Sequence, residues 1–208
     1  MASKSSGTLS GSDNIRRCWW CGDDPLYLDY HDQEWGIPVD DDRRLFEKMC
    51  LEGFQAGLSW ITILRKRQSF RAAFSHFDFQ KIARYKPSKV DRLMADAGIV
   101  RHRGKIESTI NNAKLAIEMV EELGSLASFF WQFEPLRAAV RRKRDDIVAK
   151  TDESIALSKE LKRRGWTFVG PTTCYALMQA MGMVNDHLRS CHAWKKVDLA
   201  RRTFERPG

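Results

Sequence analysis

The chain has 208 residues, 43% hydrophobic and 11% aromatic, which is enough to bury one sizeable core or two small lobes and excludes a disordered chain. Lys and Arg outnumber Asp and Glu 35 to 27, giving a net charge of +8 and a pI near 9.4. A surplus of that size favours a polyanionic partner through phosphate contacts, although a merely basic surface gives the same figure. No apolar run approaches the ~20 residues of a bilayer span, and the five cysteines come without an export signal, so neither a membrane protein nor a disulfide framework is expected. The chain reads as soluble and intracellular, cytoplasmic if bacterial.

Residues 1–14 are rich in Ser and Gly without an apolar core, so residues 1–16 are expected as a disordered leader. The apolar spacing beyond them is helical nearly throughout, and an all-α fold follows. Asp40 to Asp42 can cap a helix that turns Leu45, Phe46, Met49 and Cys50 to one face. Ser59 can open the next, with Ile63, Leu64, Phe70 and Phe74 as its apolar side. Ser88 and Asp91 resemble a capping box, with Gly98 as the matching stop. A long amphipathic stretch covers 105–123 and ends at Gly124. Thr151 or Asp152 can open a helix running to Gly165, and Pro171 suits the first turn of one ending near Gly182. The charge run at 141–146 reads as a solvated face or loop. A basic flexible tail is expected over 195–208, leaving 17–194 as the folded domain.

Four groups of residues can carry chemistry. Residues 18–60 hold Trp19, Trp20, Tyr27, Tyr30, Trp35, Phe46, Phe54 and Trp60, including four of the seven tryptophans. Phe46 and Phe54 fit a core, as do Cys50 and Cys174. Trp20, Tyr27, Tyr30 and Trp35 lie in a segment rich in Asp, Gly and Pro, where aromatics suit stacking on a planar ligand such as a nucleobase. A second group is a possible metal site. His187 and Cys191 fall on one face of a helical turn, and Cys18 with His31 can complete four ligands. Cys18-x2-Cys21 and His192 compete for the same role, and spacing alone leaves the choice open. Four protein ligands would make the metal structural, since no position remains for water.

Glu52 is the third candidate, a carboxylate between an apolar helix and a Gly-containing turn, able to accept hydrogen bonds from a base edge. The fourth is the segment 162–173, a helix end, a Gly-to-Gly hairpin and a new helix start. Glycines let backbone amides approach phosphates, and Lys162, Arg163 and Arg164 add charge.

Five runs then resemble a known family. They are CxW…DPLYxxYHDxEWG from Cys18 to Gly36, LFExxCLEGxQAGLSW from Leu45 to Trp60, DAGIVRHRGKI from Asp96 to Ile106, KxRGWxFVGPTTCYxxMQAxG from Lys162 to Gly182, and VNDH from Val184 to His187. In this order, over residues 17 to 191, they resemble the 3-methyladenine DNA glycosylase I family. The resemblance implies a helix-hairpin-helix glycosylase of two lobes, acting on double-stranded DNA that contains 3-methyladenine, presumed neither membrane-bound nor oligomeric. It implies one structural zinc on Cys18, His31, His187 and Cys191, which ties the two ends of the chain and leaves Cys21 and His192 as bystanders. Trp20, Tyr27, Tyr30, Trp35 and Trp60 match its base-binding aromatics. Glu52 matches its base-recognising carboxylate, and Glu52 with Tyr30 is expected to carry catalysis. Gly57 and Leu58 match a turn that wedges into the duplex, while Lys162, Gly165 and Gly170 match a phosphate anchor.

Many helix-hairpin-helix glycosylases carry an aspartate after the valine of the terminal motif, where this chain has Asn185, with Asp186 one residue later. No lysine matches a Schiff-base position, so the implied enzyme is monofunctional. The alternatives are a non-catalytic nucleic-acid-binding module and a zinc hydrolase, the latter requiring a vacant metal position.

Overall fold

The computed structural model describes residues 7–137 and 139–208, so residues 1–6 of the expected leader lie outside it. The remainder of that segment is ordered, contrary to its composition. Thr8–Ser10 (β1) pairs antiparallel with Arg16–Cys18 (β2), around a turn closed by bonds between Gly11, Asn14 and Ile15. Side chains rather than apolar content hold this ribbon, since the Arg17 guanidinium bridges Asp13 and Asp32 at 2.9 Å each. The expected all-α class thus becomes a mostly helical fold with one short ribbon.

The helices follow in chain order: α1 Pro25–Asp29, α2 Asp42–Gln55, α3 Trp60–Ala73, α4 Phe79–Ile82, α5 Pro87–Ala95, α6 Arg103–Leu123, α7 Leu126–Trp131, α8 Asp152–Arg163, α9 Pro171–Ala180 and α10 Ala193–Thr203. Local chemistry explains most boundaries. Asp41 caps α2 by accepting from the Arg44 amide at 2.8 Å, and Thr151 caps α8 in a reciprocal pair with Ser154. Pro171 occupies the first turn of α9. Two expected starts work differently. Proline opens α5 at Pro87, which places Ser88 inside the helix and frees Asp91 to pair with Arg103. Ser59 precedes α3 but directs its hydroxyl to Thr62 rather than to a backbone amide.

One continuous apolar cluster runs from Tyr30 to Met183, and α2 packs against α3, α6, α7 and α9 within it. Phe54, Phe70, Phe74 and Phe77 form a chain of ring contacts, each buried side chain contributing roughly 1.5–3 kcal/mol. Gly182 follows α9 with φ +80, and a Cβ there would collide with the Pro38 backbone; only glycine allows this approach.

The expected flexible tail is largely α10. Its Val197 is buried, and Arg201 donates to the carbonyls of Gly182 and Met183 while pairing with Glu134. A buried arginine that satisfies carbonyls just beyond α9 anchors a helix that basic composition alone marks as solvated.

Candidate active site and metal centre

A short π-type turn, Tyr30–Glu34, follows α1 directly and closes with the Trp35 amide donating to the Tyr30 carbonyl. Such turns re-aim side chains within a helix. Here Tyr30 and His31, adjacent in sequence, are both buried and serve two different clusters.

His31 joins Cys18, His187 and Cys191, whose donor atoms all lie within 4.8 Å of one another in the interior. The Cys191 sulfur is 3.5 Å from His31 Nε2 and 3.6 Å from His187 Nδ1, while Cys18 Sγ is 3.8 Å from His187 Nδ1. Tetrahedral zinc with ordinary Zn–S and Zn–N bonds separates such atoms by about 3.5 Å. The outer nitrogens are already committed. His187 Nε2 donates to the Trp35 carbonyl at 2.9 Å and His31 Nδ1 to Asp32 at 2.7 Å, so the inner nitrogens face the centre as acceptors. Burial opposes the charge of Asp32, but hydrogen bonds from Arg17, His31 and His192 outweigh it and hold that carboxyl below the usual range. Cys18 and Cys191 are free thiols side by side, and hydrogen bonding between them draws the Cys191 pKa down and pushes that of Cys18 up. This donor set fits a soft divalent cation. Cys21 turns away to the Cys18 carbonyl, and His192 serves Asp32 instead.

Beside this centre is a cavity of about 210 Å³, lined by Trp20, Tyr27, Tyr30, Trp35, Glu52 and Trp60, all six of the residues singled out for base binding. The rings brace one another, Trp20 and Trp35 edge to face and the other pairs tilted. Trp20 lies 4.8 Å from Trp35 and 5.1 Å from Tyr27, and Tyr30 lies 5.4 Å from Trp60. Trp35 also meets the His187 ring at 4.7 Å, so the cavity wall rests on the metal-type cluster. Burial pushes the Tyr27 phenol up to about 12, and burial together with Glu52 raises that of Tyr30, so both remain hydroxyl donors at neutral pH. The Trp60 indole N–H is buried and meets no acceptor among the described residues.

Glu52 is not alone. Lys48, one helical turn earlier, reaches its Oε1 at 2.8 Å and also donates to the Tyr30 hydroxyl at 2.8 Å. Sequence reading passes over Lys48 because a lysine on a helix is normally solvated. Five further lining residues, Trp19, Gln55, Ile147, Ala176 and Gln179, come from the turn after β2, α2, the 139–151 loop and α9. Ala176 and Gln179 share a helix face, a signal available from spacing but too common to single out. Asp186 is buried against Arg141, Tyr175 and Gln179, and neither it nor Asn185 lines the cavity.

The sequence profile of methyladenine glycosylases matches residues 20–194, and so covers both the cavity and the Cys/His cluster. The chain belongs to the methyladenine glycosylase family. It is 49% identical to the DNA-3-methyladenine glycosylase 1 of Escherichia coli K12 over 179 residues, which are 85% of this chain and 96% of that protein. A crystal structure of a 3-methyladenine DNA glycosylase I superposes with a TM-score of 0.82 at 49% identity, covering 85% and 98% of the two chains. A variant 3-methyladenine DNA glycosylase I solved in complex with 3-methyladenine gives 0.81 at 35% identity, covering 85% and 96%. The mostly helical fold therefore resembles methyladenine glycosylase structures.

The remaining residues noted from the family resemblance lie at the surface. Gly57 adopts φ +85 in the turn after α2, and Leu58 beside it is 44% exposed. The buried ammonium of Lys105 donates to the carbonyls of Phe54 and Ala56 and fixes the base of that turn. Gly165 leaves α8 with φ +89, Lys162 is exposed in the last turn of α8, and Gly170 precedes α9. A Cβ at Gly170 would meet no atom of the chain, so the glycine leaves open backbone at a helix N-terminus. Between these glycines the backbone of Thr167 is gripped on both sides by the Asn112 amide, at 3.0 Å each. That grip bolts the hairpin to α6.

Proposed function

We propose that this chain is a DNA base-excision repair glycosylase that hydrolyses the N-glycosidic bond of 3-methyladenine in alkylated double-stranded DNA. The observation that carries the reading is the cavity itself, where six aromatic side chains and one buried carboxylate surround a space below the ~300–1,000 Å³ of drug-sized ligand pockets. Family membership supports it independently. A flat, cationic base suits such walls, because stacking and cation–π attraction reinforce each other.

In this reading the lesion leaves the duplex at a cost of a few kcal/mol, least for a poorly stacked base, and Leu58 fills the gap. Glu52 accepts from the exocyclic amine and, with Tyr30, favours the charged adduct over neutral adenine. Methylation at N3 has already weakened the bond to the sugar, so little acid–base assistance is needed. Asn185 and Asp186 lie outside the cavity lining, so neither side chain assists at the reacting bond. The segment from α8 through Gly165 and Gly170 to α9 is the hairpin of a two-lobed helix-hairpin-helix glycosylase, with Lys162 and the open Gly170 backbone meeting phosphate.

Cys18, His31, His187 and Cys191 hold one structural zinc, which supplies rigidity and no vacant position for chemistry. The chain acts as a monomer inside the cell; among the described residues no helix is long and apolar enough to cross a membrane. Analysis of bases freed from methylated DNA tests the activity. Binding without base release would favour the non-catalytic module instead.

A further inference from the structure

Lys48 lies four residues before Glu52 on α2, so both side chains project from one face of the helix. It is 5% exposed, and its ammonium sits 3.2 Å from the centroid of the Trp60 ring. It does not line the cavity. With Tyr30, Trp60, Glu34 and Arg67 it lines a separate void of about 40 Å³. Tyr30 and Trp60 line both spaces, and form a wall with room for a planar ligand on one side and a fixed ammonium behind it.

The charges around Lys48 are largely paired among themselves. Glu34 is bound by Arg67 at 2.6 Å and Glu47 by Arg71 at 2.8 Å, which leaves Glu52 as the partner of Lys48. Burial lowers the Lys48 pKa, and the Glu52 carboxylate opposes that by favouring the ammonium.

We infer that the Lys48 ammonium, acting across the Trp60–Tyr30 wall, drives departure of the base, a role that rests on the glycosidic cleavage proposed above. The bound lesion carries a positive charge. When its bond to the sugar breaks, both bonding electrons move onto the base, which leaves neutral, and positive charge develops on the sugar. The oxygen of water then bonds to the anomeric carbon and its proton passes to solvent. A fixed cation behind the ring raises the energy of the cationic ground state more than that of the transition state, in which the charge moves off the base onto the sugar beyond it, so the barrier falls. Glu52 binds the cationic base and seats it against the wall behind which Lys48 lies, so both members of the pair are needed for release.

A merely bracing role predicts something different. Loss of a brace loosens Glu52 and Tyr30, which weakens binding and slows release together. Loss of a repelling charge slows release without weakening binding.

Single-turnover release of 3-methyladenine from methylated duplex DNA, followed against enzyme concentration, separates the two. Lys48→Met is expected to lower the maximal rate about tenfold or more with the half-saturating concentration unchanged or reduced, and Lys48→Arg to recover most of the rate. A wild-type rate in Lys48→Met overturns the inference, as does a half-saturating concentration that rises with the loss of rate. Should Lys48→Met fail to fold, Lys48→Gln makes the same comparison, since it can still donate to Glu52 or Tyr30 but carries no charge. If the wild-type protein releases no base, the glycosylase reading itself fails and the inference falls with it.

Discussion

His187 donates from Nε2 to the carbonyl of Trp35 at 2.9 Å, a single bond that joins the Cys/His cluster to the wall of the aromatic cavity. The rings of the same two residues also meet edge to face. A metal held by His187 would therefore fix Trp35 in place, and its loss would be felt in the cavity as well as in the fold. Cys191→Ser is expected to reduce bound zinc from about one per chain to well below it and to lower the thermal midpoint by several degrees. Metal analysis beside thermal unfolding checks this; full zinc retention refutes the ligand set.

The ion pair between Lys48 and Glu52 makes the choice of substitution at Glu52 important. Glu52→Ala leaves a buried ammonium without its carboxylate, which should cost about 3–5 kcal/mol of stability. Glu52→Gln keeps a hydrogen-bond acceptor and should cost less, while still losing most 3-methyladenine release. Denaturant unfolding and single-turnover release, measured on both variants, test the ordering. Wild-type stability in both variants would show that the pair contributes nothing.

Leu58 is exposed on a turn whose base is fixed by Lys105. Leu58→Ala should reduce base release from duplex DNA about tenfold, change release from single-stranded DNA far less, and leave the thermal midpoint unaltered. Equal losses on both substrates would contradict a wedging role.

Near the end of α8, hydrogen bonds from Arg163 hold the Glu160 carboxyl down to about 2, against an ordinary value of 4.5. A carboxyl depressed on folding stabilises above its unfolded value, and that contribution is lost as pH falls from 4.5 towards 2. Urea unfolding across this window should show a shallower acid loss in Glu160→Gln than in the wild-type protein. Parallel curves would mean that Glu160 is not part of the acid response.

Much of this was legible in residues alone, for identifiable reasons. Caps such as Asp41 and Thr151 act within four residues, so the helices they start can be read locally. Trp20, Tyr27, Tyr30 and Trp35 were legible because aromatics in a segment rich in Gly, Pro and Asp stand out against a core, whereas Trp60 joined them only through the family resemblance. Lys48 and Asn112 were not, since each is an ordinary helical polar residue until tertiary contact gives it Glu52 or Thr167 as a partner. The ribbon at Thr8–Ser10 and the buried Arg201 escaped for the same reason, as their order draws on the Arg17–Asp32 ion pair and on the Gly182 carbonyl, partners outside their own segments. Cys18, His31, His187 and Cys191 form an intermediate case, in which spacing left rivals and only the fold brings these four donors together.

The central claim is that the cavity of Trp20, Tyr27, Tyr30, Trp35, Glu52 and Trp60 receives and releases an alkylated base. Chromatographic analysis of free bases from methylated duplex DNA tests it most directly. Wild-type protein should release 3-methyladenine, and folded Glu52→Gln should release little. DNA that is bound and yields no free base would contradict the account.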